Sequence, residues 1–189
     1  MWKGTLVAAL ADVRRRAGLT AFYLGIFATI WLSVPANEPP WGVFLVAGSV
    51  AALLTAGAGG ALLMRSRLEE LLRDTGGDRR YLVILAGELA AAGFGAVLLA
   101  VTGRSEYIAV LVAAVVGLHF WPLAPVLRDP ALRILAGLVC ATALAGLITG
   151  MVSTVSPGEV VGSGVGVLLL GYAIGALIRG GLTLRQAHS

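Results

Sequence analysis

Two ionisable side chains lie inside hydrophobic segments of this sequence and are its strongest candidates for chemistry. Glu88 occurs about seven residues after its segment begins at Tyr81, and His119 about seven residues before its segment ends at Val126. An ionised carboxylate among apolar residues costs several kcal/mol unless it is paired, hydrated or protonated. An imidazole is a partner with which a carboxylate can share a proton. The sequence therefore predicts a buried centre, formed by Glu88 and His119, that relays a proton or holds a cationic ligand.

A tyrosine is expected in the same layer as this pair. The segments that carry Glu88 and His119 run in opposite directions, so both side chains should lie roughly 10 Å from one end at 1.5 Å per helical residue. Tyr172, counted in the same way along the last hydrophobic segment, falls at this depth. An interhelical hydrogen bond that only holds two helices together is the alternative to a functional centre, and the sequence leaves both open.

Pro122 predicts a kink in the helix that carries His119. Proline has no backbone N–H, so the carbonyl of Leu118 loses its helical donor and the helix opens beside the histidine. An opened helix at this point would line a small polar cavity.

Six hydrophobic segments must position these residues. A hydrocarbon core about 30 Å thick needs roughly 20 apolar helical residues, and each segment reaches or approaches that length. Hydrophobic residues make up 58% of the 189 and charged residues 13%, about half the charge of a soluble domain. We therefore expect an all-α, polytopic membrane bundle of six transmembrane helices, over residues Leu19–Val34, Gly42–Met64, Tyr81–Thr102, Tyr107–Val126, Ala131–Val152 and Glu159–Ile178.

The distribution of basic residues predicts the orientation of the bundle. If residues 1–18 form a cytoplasmic or interfacial segment, thirteen of the fourteen basic residues fall on the cytoplasmic side, and Arg104 alone falls on the other. Positive residues favour the cytoplasmic side, which predicts a transmembrane domain over residues 19–178, a cytoplasmic tail over 179–189, and both termini inside a bacterial inner membrane. The same topology accounts for the net charge of +4, so nucleic acid is not an expected partner.

Small residues recur at four-residue spacing in nearly every segment. Such spacing lets membrane helices approach closely and gain van der Waals contact. We therefore expect a tightly packed bundle, and the sequence leaves open whether copies of it associate into a homo-oligomer. The spacing occurs at Gly48/Ala52/Ala56, Gly87/Ala91/Gly95, Gly137/Ala141/Ala145, Gly146/Gly150, Gly162/Gly166 and Gly171/Gly175.

The stretch Gly117-Leu118-His119-Phe120-Trp121-Pro122-Leu123-Ala124 resembles a pattern in uncharacterised bacterial six-span integral membrane proteins. This resemblance implies a six-span layout and no particular activity. Six helices in so short a chain also resemble the substrate-binding components of vitamin transporters driven by a separate ATPase. Their substrates enter from the outer side, where this sequence offers few polar residues.

Enzyme chemistry is less favoured than transport. The sequence has no His-Glu-x-x-His pattern and no phosphate-binding glycine loop with a lysine. Cys140 is the single cysteine, so a cysteine-based metal site is excluded, and no metal or cofactor is expected. The sequence thus favours a protein that moves or binds a small solute or a proton. The alternative is an accessory or scaffold protein that docks a cytoplasmic partner through residues 65–80.

Overall fold

The computed structural model describes residues 2–34, 41–65, 79–127 and 129–186. All regular structure within these ranges is helical, which confirms the all-α part of the predicted fold class. The segment expected to dock a partner falls largely outside the described residues, since it is not described between 66 and 78. The helices are α1 (Trp2–Leu32), α2 (Trp41–Arg65), α3 (Arg79–Val101), α4 (Ile108–Leu127), α5 (Ala131–Val152) and α6 (Pro157–Gln186), with a 3₁₀ turn at Ser105–Tyr107.

Four of these helices are long and apolar enough to cross a membrane. They are α2, α4 with the 3₁₀ turn before it, α5 and α6. In α1 the apolar part after the arginines, residues 19–32, is only about 21 Å long at 1.5 Å per residue. This apolar part falls short of a hydrocarbon core of about 30 Å. Helix α3 has 23 residues and is apolar from Tyr81 to Val101 except for Glu88 and the small residues around it; of the described side chains in it, Ala86–Val101 form a shorter apolar helix.

Residues 2–18 do not form an element of their own. Helix α1 continues without interruption from Trp2 through the predicted boundary to Leu32. At that boundary a Cβ on Gly18 would lie 3.0 Å from the carbonyl oxygen of Gly59. The amino-terminal segment is therefore the first half of a helix that already packs against α2 where the first hydrophobic segment begins.

The helices pack in two groups of three that share α6. Helices α1, α2 and α6 contact one another, and so do α4, α5 and α6. Helix α3 is at the edge of this bundle, because within the described residues its substantial contacts are made with α4 and the adjoining 3₁₀ turn. Its direction is set at Gly103, which adopts a positive φ of 71° that glycine tolerates without strain.

Small residues allow the closest helix contacts. A Cβ on Gly25 would lie 2.8 Å from the Ala56 backbone nitrogen, and one on Gly59 would lie 2.6 Å from the Phe22 nitrogen. Between α4 and α5, a Cβ on Gly117 would lie 2.6 Å from Cys140 Sγ. These contacts confirm close packing of α1 on α2 and of α4 on α5, since only a residue without a side chain fits.

Three glycines of the predicted spacings have no close neighbour. A Cβ on Gly87, Gly137 or Gly171 would meet no atom of the described chain within 4 Å. The reason is that these helices are apolar on every side, so four-residue spacing does not tell which face meets a neighbour. Large apolar side chains also cover the outside of the bundle, as with Phe94, which is 76% exposed. Such a surface suits a lipid environment.

Candidate functional site

Glu88 and His119 are brought together by the antiparallel packing of α3 on α4. Oε2 of Glu88 lies 2.8 Å from Nδ1 of His119, and the two side chains are only 14% and 10% exposed. Glu88 lies in the cytoplasmic half predicted for α3, and His119 is about two turns from the carboxyl end of α4. The structure thus forms the acid–imidazole contact that the sequence predicted from depth alone.

The contact between the two groups is close but not aligned as a hydrogen bond. Nδ1 of His119 is buried, and among the described residues it has no partner that satisfies hydrogen-bond geometry. The 2.8 Å separation from Oε2 means that a small rotation of either side chain would produce that bond. The contact is therefore compatible with a functional pair and with a structural one.

Glu88 belongs to a narrow stripe of half-buried residues among the described side chains of α3. The half-buried residues Glu88, Ala92, Gly95 and Leu99 follow one another at steps of four, three and four along one helix face. Further along this stripe, Gly95 packs against the side chain of Leu111 on α4. In this stripe Glu88 is the only ionisable residue, so the polar contact lies within an otherwise apolar helix interface.

Tyr172 has a different partner from the one that its depth suggested. Its hydroxyl donates a hydrogen bond of 2.5 Å to Oδ2 of Asp129, in the connection between α4 and α5. The other carboxylate oxygen of Asp129 accepts the Ala131 N–H at 3.1 Å, at the start of α5. The structure therefore uses the Tyr172 hydroxyl to fasten the α4–α5 connection to α6.

Arg179 completes this second polar cluster. Its guanidinium carbon lies 5.5 Å from the centre of the Tyr172 ring, within the range of a cation–π contact. Sequence reasoning did not select Asp129 or Arg179 as site residues. The signal that could have found Arg179 is its position seven residues after Tyr172, which places both on one face of α6.

Pro122 lies within a continuous helix. Helix α4 extends from Ile108 to Leu127 and contains both Pro122 and Pro125. The missing N–H of Pro122 leaves the Leu118 carbonyl without its helical donor, directly beside His119 in the chain. The kink stays a prediction, and the structure adds that the helix is not broken at this position.

The described residues do not suggest a metal centre. No three His, Cys, Asp or Glu side chains within the described ranges are close enough to hold a metal ion. The Glu88–His119 contact supplies two ligand atoms at most, whereas structural and catalytic zinc sites use three or four protein ligands. A carboxyl group and an imidazole in contact can take up, share and release protons.

Comparison with protein-family models, with curated proteins and with solved structures finds no match.

Proposed function

We propose that this chain is a six-span inner-membrane protein that moves or binds a proton or a small solute through the Glu88–His119 centre. The observation that carries the proposal is the enclosed contact of 2.8 Å between Glu88 Oε2 and His119 Nδ1. An ionisable residue inside a membrane segment is costly and characteristically marks an ion pathway or a proton relay. The termini would face the cytoplasm, as the arginine distribution predicts.

The proton is the species that this centre can accept most readily. Oε2 and Nδ1 are already at hydrogen-bonding distance, so a proton can pass between them without separating the helices. A larger solute would first have to part the two side chains and widen the interface between α3 and α4. Glu88 would be the group that gains and loses the proton, and His119 its partner.

The position of α3 supports this role. Because the substantial contacts of α3 with other described residues are those with α4 and the 3₁₀ turn, few of the described contacts oppose a change in the spacing of these two helices. The distance between α3 and α4 would then change when the Glu88–His119 contact gains or loses a proton. No part of the described core has to be repacked for such a movement.

Proton flux into liposomes tests the proposal. The full-length protein is reconstituted with an entrapped pH-sensitive dye, and a pH step is applied across the membrane. Glu88→Gln should reduce the flux to that of protein-free liposomes, because the amide cannot take up a proton at neutral pH. Glu106→Gln is the matched control, since Glu106 lies in the exposed 3₁₀ turn, and its flux should equal that of the natural sequence.

Folding must be measured in the same samples. If Glu88→Gln retains its helical circular dichroism and its elution volume but loses the flux, the centre is functional. If Glu88→Gln conducts normally, the pair is structural and the proposal fails. A natural protein with no flux above empty liposomes would exclude proton movement, and isotope-labelled solutes would then be tested with the same variants.

A further inference from the structure

One end of the bundle carries most of the described charge. The packing of Ala17 against Gly180 and the bond from Tyr172 to Asp129 place three parts of the chain at this arginine-rich end: the first half of α1, the α4–α5 connection and the end of α6. Six described basic side chains lie there against two acidic ones. They are Arg14, Arg15, Arg16, Arg133, Arg179 and Arg185, with Asp12 and Asp129.

Both acidic groups at this end already have partners. Oδ2 of Asp12 lies 2.9 Å from a guanidinium nitrogen of Arg16, one helical turn away. Asp129 accepts the Tyr172 hydroxyl on one oxygen and the Ala131 N–H on the other. The carboxylates of the described chain therefore leave an excess of positive charge at this end. The opposite end has the reverse balance, with Arg104 against Glu106 and Glu159.

The guanidinium of Arg179 is positioned by the Tyr172 ring, which leaves it oriented to bind an anion from outside the protein. One face of its guanidinium is directed to the Tyr172 ring at 5.5 Å, while the side chain as a whole is exposed. Tyr172 is itself fixed by its bond to Asp129. A guanidinium that is already oriented loses less freedom when it forms paired hydrogen bonds to a phosphate.

Arg14 is near the same helix junction. It precedes Ala17 by three residues, which places it on the face of α1 that meets α6. A Cβ on Gly180 would lie only 2.6 Å from the Cβ of Ala17, so the backbones of α1 and α6 are very close there. Arg14 on α1 and Arg179 on α6 therefore both lie near the point where these two helices meet, at the end of the apolar bundle.

We propose that the arginine-rich end binds the headgroup of an anionic phospholipid, with Arg14 and Arg179 as the main contacts. The phosphodiester of a lipid lies at the level where apolar helices end, which is where these arginines lie. Basic clusters beside membrane helices attract anionic lipids by about 1 kcal/mol for each arginine or lysine. This inference depends on the bundle being in a bilayer, and not on any role of Glu88 or His119.

Native mass spectrometry of the full-length protein tests the inference. The protein is extracted from nanodiscs of phosphatidylcholine mixed equally with phosphatidylglycerol, and the bound lipids are counted. The protein with the natural sequence should retain more phosphatidylglycerol than phosphatidylcholine. Arg14→Gln and Arg179→Gln should each lower that preference about five-fold. Arg179→Lys should keep most of it, because the charge is conserved, and Arg104→Gln at the opposite end should keep all of it.

Three results would overturn the inference. The first is equal retention of the two lipids by the natural sequence, and the second is an equal loss in Arg104→Gln. The third is displacement of phosphatidylglycerol by inorganic phosphate, which would make a free anion the ligand. Circular dichroism of each variant separates loss of binding from loss of folding. If Arg179→Gln does not fold, Arg14→Gln and Arg179→Lys still decide the outcome.

Discussion

His119 and Glu88 meet through atoms only 2.8 Å apart, Nδ1 and Oε2, on two helices that run in opposite directions. Seven residues after Glu88, the same face of α3 packs against Leu111 at Gly95. The two points are about 10 Å apart along the helix at 1.5 Å per residue. The polar pair is therefore part of an extended helix interface and not an isolated contact of two side chains.

Glu88 and His119 should be energetically coupled. Glu88→Gln and His119→Gln are each expected to destabilise the protein, and the double variant should differ from the sum of the two by about 0.5–3 kcal/mol, as found for residues in direct contact. Reversible unfolding in mixed micelles would measure this difference. Glu88→Gln combined with Glu159→Gln is the control, and these two changes should add. Additive effects of Glu88→Gln and His119→Gln would contradict the contact.

Tyr172→Phe should reduce stability without altering proton flux. The change removes a hydroxyl that donates to the Asp129 carboxylate, and hydrogen bonds to charged groups contribute about 1.5–3 kcal/mol. Thermal unfolding in detergent and the liposome assay measure the two effects separately. Tyr23→Phe is a suitable control, because Tyr23 is 56% exposed. A large loss of flux in folded Tyr172→Phe would instead place Tyr172 in the proton centre.

Gly59→Ala should disrupt the packing of α1 on α2. A Cβ on Gly59 would lie 2.6 Å from the Phe22 nitrogen and 2.7 Å from the Gly18 carbonyl oxygen. Both are backbone atoms, so the helices must separate, at a cost of about 1–3 kcal/mol. On the same helix, a Cβ on Gly57 would meet nothing within 4 Å. Gly57→Ala should therefore be neutral or stabilising by up to about 1 kcal/mol, and equal melting temperatures for the two variants would contradict this packing.

Pro122→Ala should stabilise α4 by about 1 kcal/mol, the typical net contribution of one hydrogen bond. The new N–H supplies the donor that the Leu118 carbonyl lacks, in a helix that is already continuous. The melting temperature in detergent measures the effect. Pro130→Ala is the matched control, because Pro130 is the exposed residue that precedes α5, where no helical donor is missing. A destabilised Pro122→Ala would show that the carbonyl has another partner.

The helices themselves could be predicted from the sequence because their ends are polar and their interiors are not. Helix α5 coincides with the predicted segment Ala131–Val152, and α2 extends the predicted Gly42–Met64 by one residue at each end. The similar depth of Glu88 and His119 could also be predicted, since it depends only on a constant rise per residue. That all six predicted segments cross the membrane stays a prediction, because four of the described helices are long and apolar enough to do so.

The lateral arrangement could not be predicted in the same way. A helix that is apolar on every side gives no periodic signal of the face that meets a neighbour. The sequence therefore did not indicate that α3 is at the edge, or that Gly87 has no neighbour while Gly59 contacts the backbone of α1. The partner of Tyr172 was missed for a related reason. Asp129 is in a connection between helices, and its position depends on how α4, α5 and α6 assemble.

The edge position of α3 has a consequence for the energetics of its carboxylate. Glu88 contacts α4 on one side, and among the described residues the opposite face of α3 is exposed, as at Phe94 and Val97. The length and order of the acyl chains next to α3 would therefore contribute to the free energy of a charge on Glu88. A group at the centre of the bundle would be shielded from such an influence.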